Sequence, residues 1–179
     1  MPELPLRETK FGLVADGDGW FVLNARDSRW RDAGHFGRYC DFEGKRRFRQ
    51  LGINVSVLQP GQAIGYYHRE RAQEGFLVLA GECLLLVEGQ ERTLRAWDFF
   101  HCPGGTAHAI LGAGEGPAVV LAVGGRGGRK GLVYLVEELA LAHDAGVRQE
   151  TTKPAEAYGG FTDWKRCRYE EGWLPEGPG

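Results

Sequence analysis

The 179-residue sequence has one methionine, no Cys-x-x-Cys pair, and no apolar run near the roughly 20 residues that a membrane-spanning helix needs. A protein without transmembrane helices is expected. The opening residues, MPELPLRETKFG, lack the apolar stretch of a secretory signal, so a cytoplasmic location is expected too. Cys40, Cys83, Cys102 and Cys167 lie far apart, which excludes a zinc ribbon or a thioredoxin-type motif and predicts four free thiols in a reducing compartment. Neither sign of charge dominates: 22 Lys and Arg stand against 24 Asp and Glu, a net charge of -2. Such a chain projects no basic field, and we expect no nucleic-acid partner. No internal repeat and no low-complexity segment is visible.

What the sequence does contain is punctuation. With 28 glycines and 8 prolines it is interrupted every ten residues or so, which suits short strands and turns and opposes long helices. Between the breaks lie GWFVLNA, LGINVSVLQ, GFLVLAGE, CLLLVEG, WDFFHCP, AHAILGAG and AVVLAVGG, rich in β-branched, aromatic and leucine residues. An all-β barrel or sandwich follows. ECLLLVEGQERTLR reads as a hairpin turning at Glu88 to Glu91, and ILGAGEGPAVVLAV as a second hairpin turning at Gly114 to Pro117. LVEELALAHDAGV fits a helix or a strand equally. From Gln149 onward the chain is polar and broken by Pro154, Gly159 and Gly160, with a short helix expected from Pro154 to Tyr158. Phe161, Trp164, Tyr169 and Trp173 are too many aromatics for a free tail, so this segment should pack on the barrel or on a second subunit, with only the last few residues loose.

The residues that carry chemistry fall in two stretches. In YYHRERAQEGFLVLAGE, His68 and Glu70 are two apart and share a face of an extended chain, and Glu74 follows before the next strand. In DFFHCPGGTAHAI, Pro103 to Gly105 make a turn and His108 starts the returning strand, placed to face the first cluster. Imidazole nitrogen and carboxylate oxygen are the donors a catalytic first-row metal accepts.

The spacing resembles the cupin motifs. Gly61, His68-x-Glu70, Glu74 after three residues and Gly81 after six are similar to the first motif, G-x5-HxH-x3/4-E-x6-G. Pro103-x-Gly105 and His108 are similar to the second, G-x5-PxG-x2-H-x3-N, with Trp97 at its opening glycine and Gly112 at its closing asparagine. The resemblance covers about residues 50–125. It implies a double-stranded β-helix, a jelly-roll barrel, with one divalent ion held by His68, Glu74 and His108. Glu70 stands where the family has a second histidine: either it is a fourth ligand, or it stays outside the ligand set. Two histidines with one or two carboxylates favour zinc, manganese or iron over copper.

The expected whole is therefore a single cupin domain over 1–179. Its barrel core spans about 50–125, and 1–49 and 126–179 are extensions, N-terminal strands and a short C-terminal helix with its aromatic tail. Tyr66, Phe76, Phe99 and His101 are the candidates to line a pocket for a small oxygenated or carboxylated molecule, with Cys102 an inert buried thiol. A dioxygenase, decarboxylase or isomerase is the expected kind of enzyme, and a non-catalytic metal-dependent binding or sensor protein is the rival. Cupins commonly bury sheet edges by pairing subunits, which implies a homodimer joined near Trp20 to Trp30 or through the tail. RGGRKG, residues 126–131, matches no phosphate loop and reads as an exposed loop.

Overall fold

The computed structural model describes residues 1–126, 131–161 and 164–176, so four residues of the RGGRKG loop, residues 162–163 and the last three of the chain lie outside the described residues. Strands β1 (Leu6–Thr9) and β2 (Gly12–Ala15) form an N-terminal hairpin. A seven-stranded sheet runs in the order β10 (Phe99–Cys102), β7 (Glu74–Ala80), β12 (Ala118–Gly125), β5 (Leu51–Leu58), β4 (Arg38–Cys40), β3 (Trp30–Asp32) and β14 (Lys165–Cys167). A five-stranded sheet runs β13 (Val133–Tyr134), β6 (His68–Arg69), β11 (His108–Ala113), β8 (Glu82–Val87) and β9 (Gln90–Arg95). From β5 to β12 the chain passes back and forth between the two sheets, and this winding is the double-stranded β-helix of a jelly roll.

The crossings demand particular residues. Gly81 has φ +72°, and a Cβ there would lie 2.5 Å from the Pro117 carbonyl oxygen, so only glycine lets β7 turn into β8. Inward residues of both sheets then meet in one core: Leu58, Val78, Leu85, Ile110 and Val120 are all buried. Each such side chain contributes about 1.5–3 kcal/mol relative to an exposed one.

The first hairpin forms as expected, since β8 pairs with β9 in a register that leaves Glu88 and Gly89 as a two-residue loop. The second does not. Strand β11 pairs with β6 and β8, whereas β12 pairs with β5 and β7, so the Gly114 to Pro117 turn carries the chain from one sheet to the other. Nearly every residue of both strands is buried or half-buried, and two strands without an exposed face give no clue to which neighbour each will take. The ambiguous LVEELALAHDAGV divides after β13 into helix α1 (Glu138–Ala142).

Helix α2 (Pro154–Ala157) starts where Pro154 follows an extended Lys153. Beyond it, β14 pairs antiparallel with β3, and the rings of Tyr169 and Trp173 lie 6.0 and 5.4 Å from that of Trp30. The tail thus packs on its own barrel. Trp30 is fully buried beneath it, so Trp30 is not part of any surface that could join two subunits.

Candidate metal centre

Three strands bring the potential ligands together. His68 lies on β6, His108 opens β11 as its direct register partner, and Glu74 opens β7 in the other sheet. One donor atom from each lies within 4.8 Å of the others. The two imidazole centroids are 4.9 Å apart, and His108 Nε2 stands 3.4 Å from Glu74 Oε2.

Neighbouring backbone decides which nitrogens face this cluster. His68 Nδ1 is 2.7 Å from the Tyr66 carbonyl oxygen, and His108 Nδ1 is 3.2 Å from that of Thr106. A carbonyl only accepts, so both imidazoles donate from Nδ1 and keep a lone pair on Nε2. This is how metal-binding histidines are held in one tautomer. Burial, joined by the nearby His68, lowers the His108 pKa to about 4, and burial also lowers that of His68, so both rings are neutral near pH 7. The His108–Glu74 contact is therefore not an ion pair. Burial and the charge of Glu70 push the Glu74 carboxyl up to about 7, and its Oε2 is buried without a hydrogen-bond partner. Two lone-pair nitrogens beside a carboxylate oxygen without a hydrogen-bond partner could hold a cation, and this N2O set suits zinc, manganese or iron.

Glu70 lies one residue past β6. Its side chain lines the same cavity as the three donors, but its carboxylate is outside their group. Its carbonyl oxygen accepts a 2.6 Å hydrogen bond from Gly105 N–H, which ties the two motif loops together. Cys102 Sγ approaches His108 from the Nδ1 side at 3.4 Å, and burial holds its thiol pKa up at about 12. It is a neutral thiol behind the His108 ring.

The donors form the floor of a cavity of about 820 Å³, within the size range of small-molecule sites. Phe76 lines it. Tyr66 lies behind the wall, its ring stacked 5.1 Å from that of Tyr158. Phe99 and His101 do not line it: along β10 both are exposed, while Phe100 and Cys102 turn inward. Strand period two allows one pair or the other inside, and the pair that faces in is one residue later than expected. Phe100 packs 5.8 Å from the His108 ring.

The other half of the wall was not foreseen. Leu132, Tyr134, Thr152, Tyr158, Phe161 and Trp164 come from the C-terminal extension. Tyr158 reaches the cavity because Gly65 has no side chain: a Cβ there would lie 2.9 Å from the Tyr158 hydroxyl, which accepts a 3.2 Å hydrogen bond from Tyr66 N–H. The legible signal was the crowd of aromatics in an otherwise polar tail.

Residues 54–124 match the family model described as a cupin domain. Among solved structures, a putative sugar phosphate isomerase from Acidithiobacillus ferrooxidans is 30% identical over 44% of this chain and 51% of that one, with a TM-score of 0.42. A sugar phosphate isomerase of the cupin superfamily from Silicibacter pomeroyi is 28% identical over 43% and 51%, with a TM-score of 0.41. An RmlC-like cupin from Shewanella frigidimarina is 18% identical over 57% and 87%, with a TM-score of 0.49. The chain spans about half the length of the first two. No curated protein matches it. The matched segment falls on β5 to β12, the strands that wind between the two sheets and carry all three donors, and over it this chain is similar to cupin domains.

Proposed function

We propose that this chain is a metal-dependent small-molecule enzyme that holds one divalent zinc, manganese or iron ion through His68 Nε2, Glu74 and His108 Nε2. The observation that carries the reading is the orphaned Glu74 Oε2 facing the lone pair of His108 Nε2 at 3.4 Å on the floor of a deep cavity. When bound, the ion supplies Lewis-acid or oxygen-activating chemistry, of the kind a dioxygenase, decarboxylase or isomerase uses. The chain's own residues do the rest. The Tyr66 and Thr106 carbonyls hold the imidazoles in place, the apolar walls exclude water, and Glu70, outside the ligand group, is placed to take or return a substrate proton.

The same reading takes 1–179 as one domain, supported by β3, β4 and β14 of the two extensions joining the barrel's own sheet. A cytoplasmic location is supported by four free cysteines, and no helix among the described residues is long and apolar enough to cross a membrane. A homodimer remains part of the proposal. Exposed Phe99 on the edge strand β10 now favours that side for pairing. A monomeric mass by light scattering at micromolar concentration would remove it.

Metal analysis of protein purified without chelator tests the centre. We expect about one ion per chain and a melting temperature that falls on chelation. Absence of metal, with an unchanged melting temperature for His108→Ala, refutes the site. Turnover of a small oxygenated substrate that stops on chelation and returns with one metal marks an enzyme, and metal-dependent binding without turnover marks the non-catalytic rival.

A further inference from the structure

A second cavity, of about 750 Å³, shares no described lining residue with the one above the metal donors. It is built from the N-terminal extension, through Leu4 and Phe21, and from the loop between β4 and β5, through Phe42 and the residues up to Arg49. None of these belongs to the strands that wind into the barrel. Gly44 joins the two walls: a Cβ there would lie 1.5 Å from the Ala15 carbonyl oxygen, so only glycine lets the segments touch.

The loop carries KRRFR, residues 45–49, four cations in five residues. Its Phe48 is held from three sides. Phe48 N–H donates to Glu43 Oε1 at 2.9 Å, the Phe48 carbonyl accepts from the Arg126 guanidinium at 2.9 Å, and the Phe48 ring stacks on that of Phe21, with centroids 6.3 Å apart and planes at 19°. Glu43 is 7% exposed and pairs with Arg126 at 2.7 Å, so its charge is already met and does not serve the loop. Asp16 and Asp18 take Lys45 and Arg46. That leaves Arg47 and Arg49: both are exposed, both line the cavity, and among the described residues neither guanidinium has an ion pair or a hydrogen bond.

Two guanidinium forks on one cavity wall match both the charge and the geometry of a phosphate monoester, whose oxygens accept paired N–H bonds from each. The single carboxylate of the described lining, Asp18, is occupied by Arg46. Beside the two arginines, Phe21, Phe42 and Phe48 offer ring surface and no hydrogen-bonding group, a wall that suits a flat ring. We propose that this cavity binds a small phosphate monoester carrying an aromatic ring, of the nucleoside monophosphate class, with its phosphate on Arg47 and Arg49 and its ring against the Phe21–Phe48 pair. This site stands apart from the metal centre and does not depend on it.

Calorimetric titration of the full chain with adenosine monophosphate tests it, with adenosine and ribose 5-phosphate as comparisons that lack the phosphate and the ring. The monophosphate should bind more tightly than either, with the same affinity before and after chelation. Arg47→Gln and Arg49→Gln should each weaken it about 10-fold, the lower end for a hydrogen bond to a charged group, with the melting temperature unchanged. Asp18→Asn, which removes the lining carboxylate and releases Arg46, should tighten it about 2- to 5-fold, the scale of an exposed ion pair. No binding of the monophosphate at millimolar concentration overturns the inference, and so does ribose 5-phosphate binding equally well, which would mark a plain phosphate patch. Binding that ignores both arginine variants, or that is lost on chelation, places the nucleotide elsewhere and also overturns it.

Discussion

Glu74 Oε2 and His108 Nε2 face each other at 3.4 Å, and Glu74 Oε2 is buried without a hydrogen-bond partner. His108 has committed its proton to the Thr106 carbonyl, and Glu74 is buried. Two acceptors at that distance repel unless a proton or a metal ion lies between them, and the chemistry of this site follows from which it is.

Metal binding should release a proton from Glu74. Its carboxyl titrates at about 7 in the metal-free fold, whereas His108 titrates at about 4 and is already neutral. Near pH 6 the incoming ion displaces about one proton, and above about pH 8.5 almost none. Calorimetry of zinc binding in buffers of different ionisation enthalpy measures this. Release of two protons at about pH 6 would show that a histidine is protonated in addition to Glu74 and would overturn this assignment.

Glu74→Gln should weaken metal binding by more than about 100-fold, beyond the range for groups that only support a ligand. It should also stabilise the metal-free fold at high pH. Because the folded pKa of Glu74 is raised from 4.5 to about 7, ionising it costs stability, and the metal-free wild type loses stability as pH rises through that window. The loss is on the order of 1–3 kcal/mol. His108 acts with the opposite sign: its lowered pKa means stability is lost as pH falls from 6.5 through about 4. Urea unfolding of chelated protein should therefore show Glu74→Gln above wild type at pH 8, with the difference vanishing near pH 4.5.

Glu70→Gln separates a ligand from a neighbour. Glu70 raises the Glu74 pKa through its charge, so removing that charge should move the midpoint of metal-linked proton release to lower pH. Metal affinity should fall less than about 10-fold, since no first-row donor is lost. A loss as large as that of Glu74→Gln would make Glu70 a fourth ligand.

Trp97 is the clearest strained residue. It occupies the position of the second motif's opening glycine and keeps a glycine-like φ of +76°, with its side chain 75% exposed. A bulky residue in this region costs about 1–2 kcal/mol, and little packing offsets it. Trp97→Gly should raise stability by about 0.5–1 kcal/mol after the greater entropy of the unfolded glycine is subtracted, as a higher urea midpoint with an unchanged slope. A fall of more than 1 kcal/mol would mean that the indole packs usefully.

The winding of the barrel and its donors were legible because they depend on local backbone requirements. Gly81 must be glycine to avoid the Pro117 carbonyl, Glu74 must open the strand before it, and the Pro103 to Gly105 turn delivers His108. Spacing along the chain records such constraints directly. Strand parity at β10 was not legible, because WDFFHC places apolar side chains on both faces and leaves period two without contrast. Nor was the partner of β11, since neither of its faces is polar.

By itself, then, the sequence determined a β-rich jelly-roll barrel and the three side chains that converge in it. Tertiary structure decided that Phe100 and not Phe99 faces inward, that Glu70 stands outside the donor group, and that rings nearly a hundred residues after His68 close over the site. The reason is physical: turns and strand starts are specified by neighbours in the chain, whereas a cavity wall is made by whichever distant surfaces bury most against each other, and no local pattern encodes that pairing.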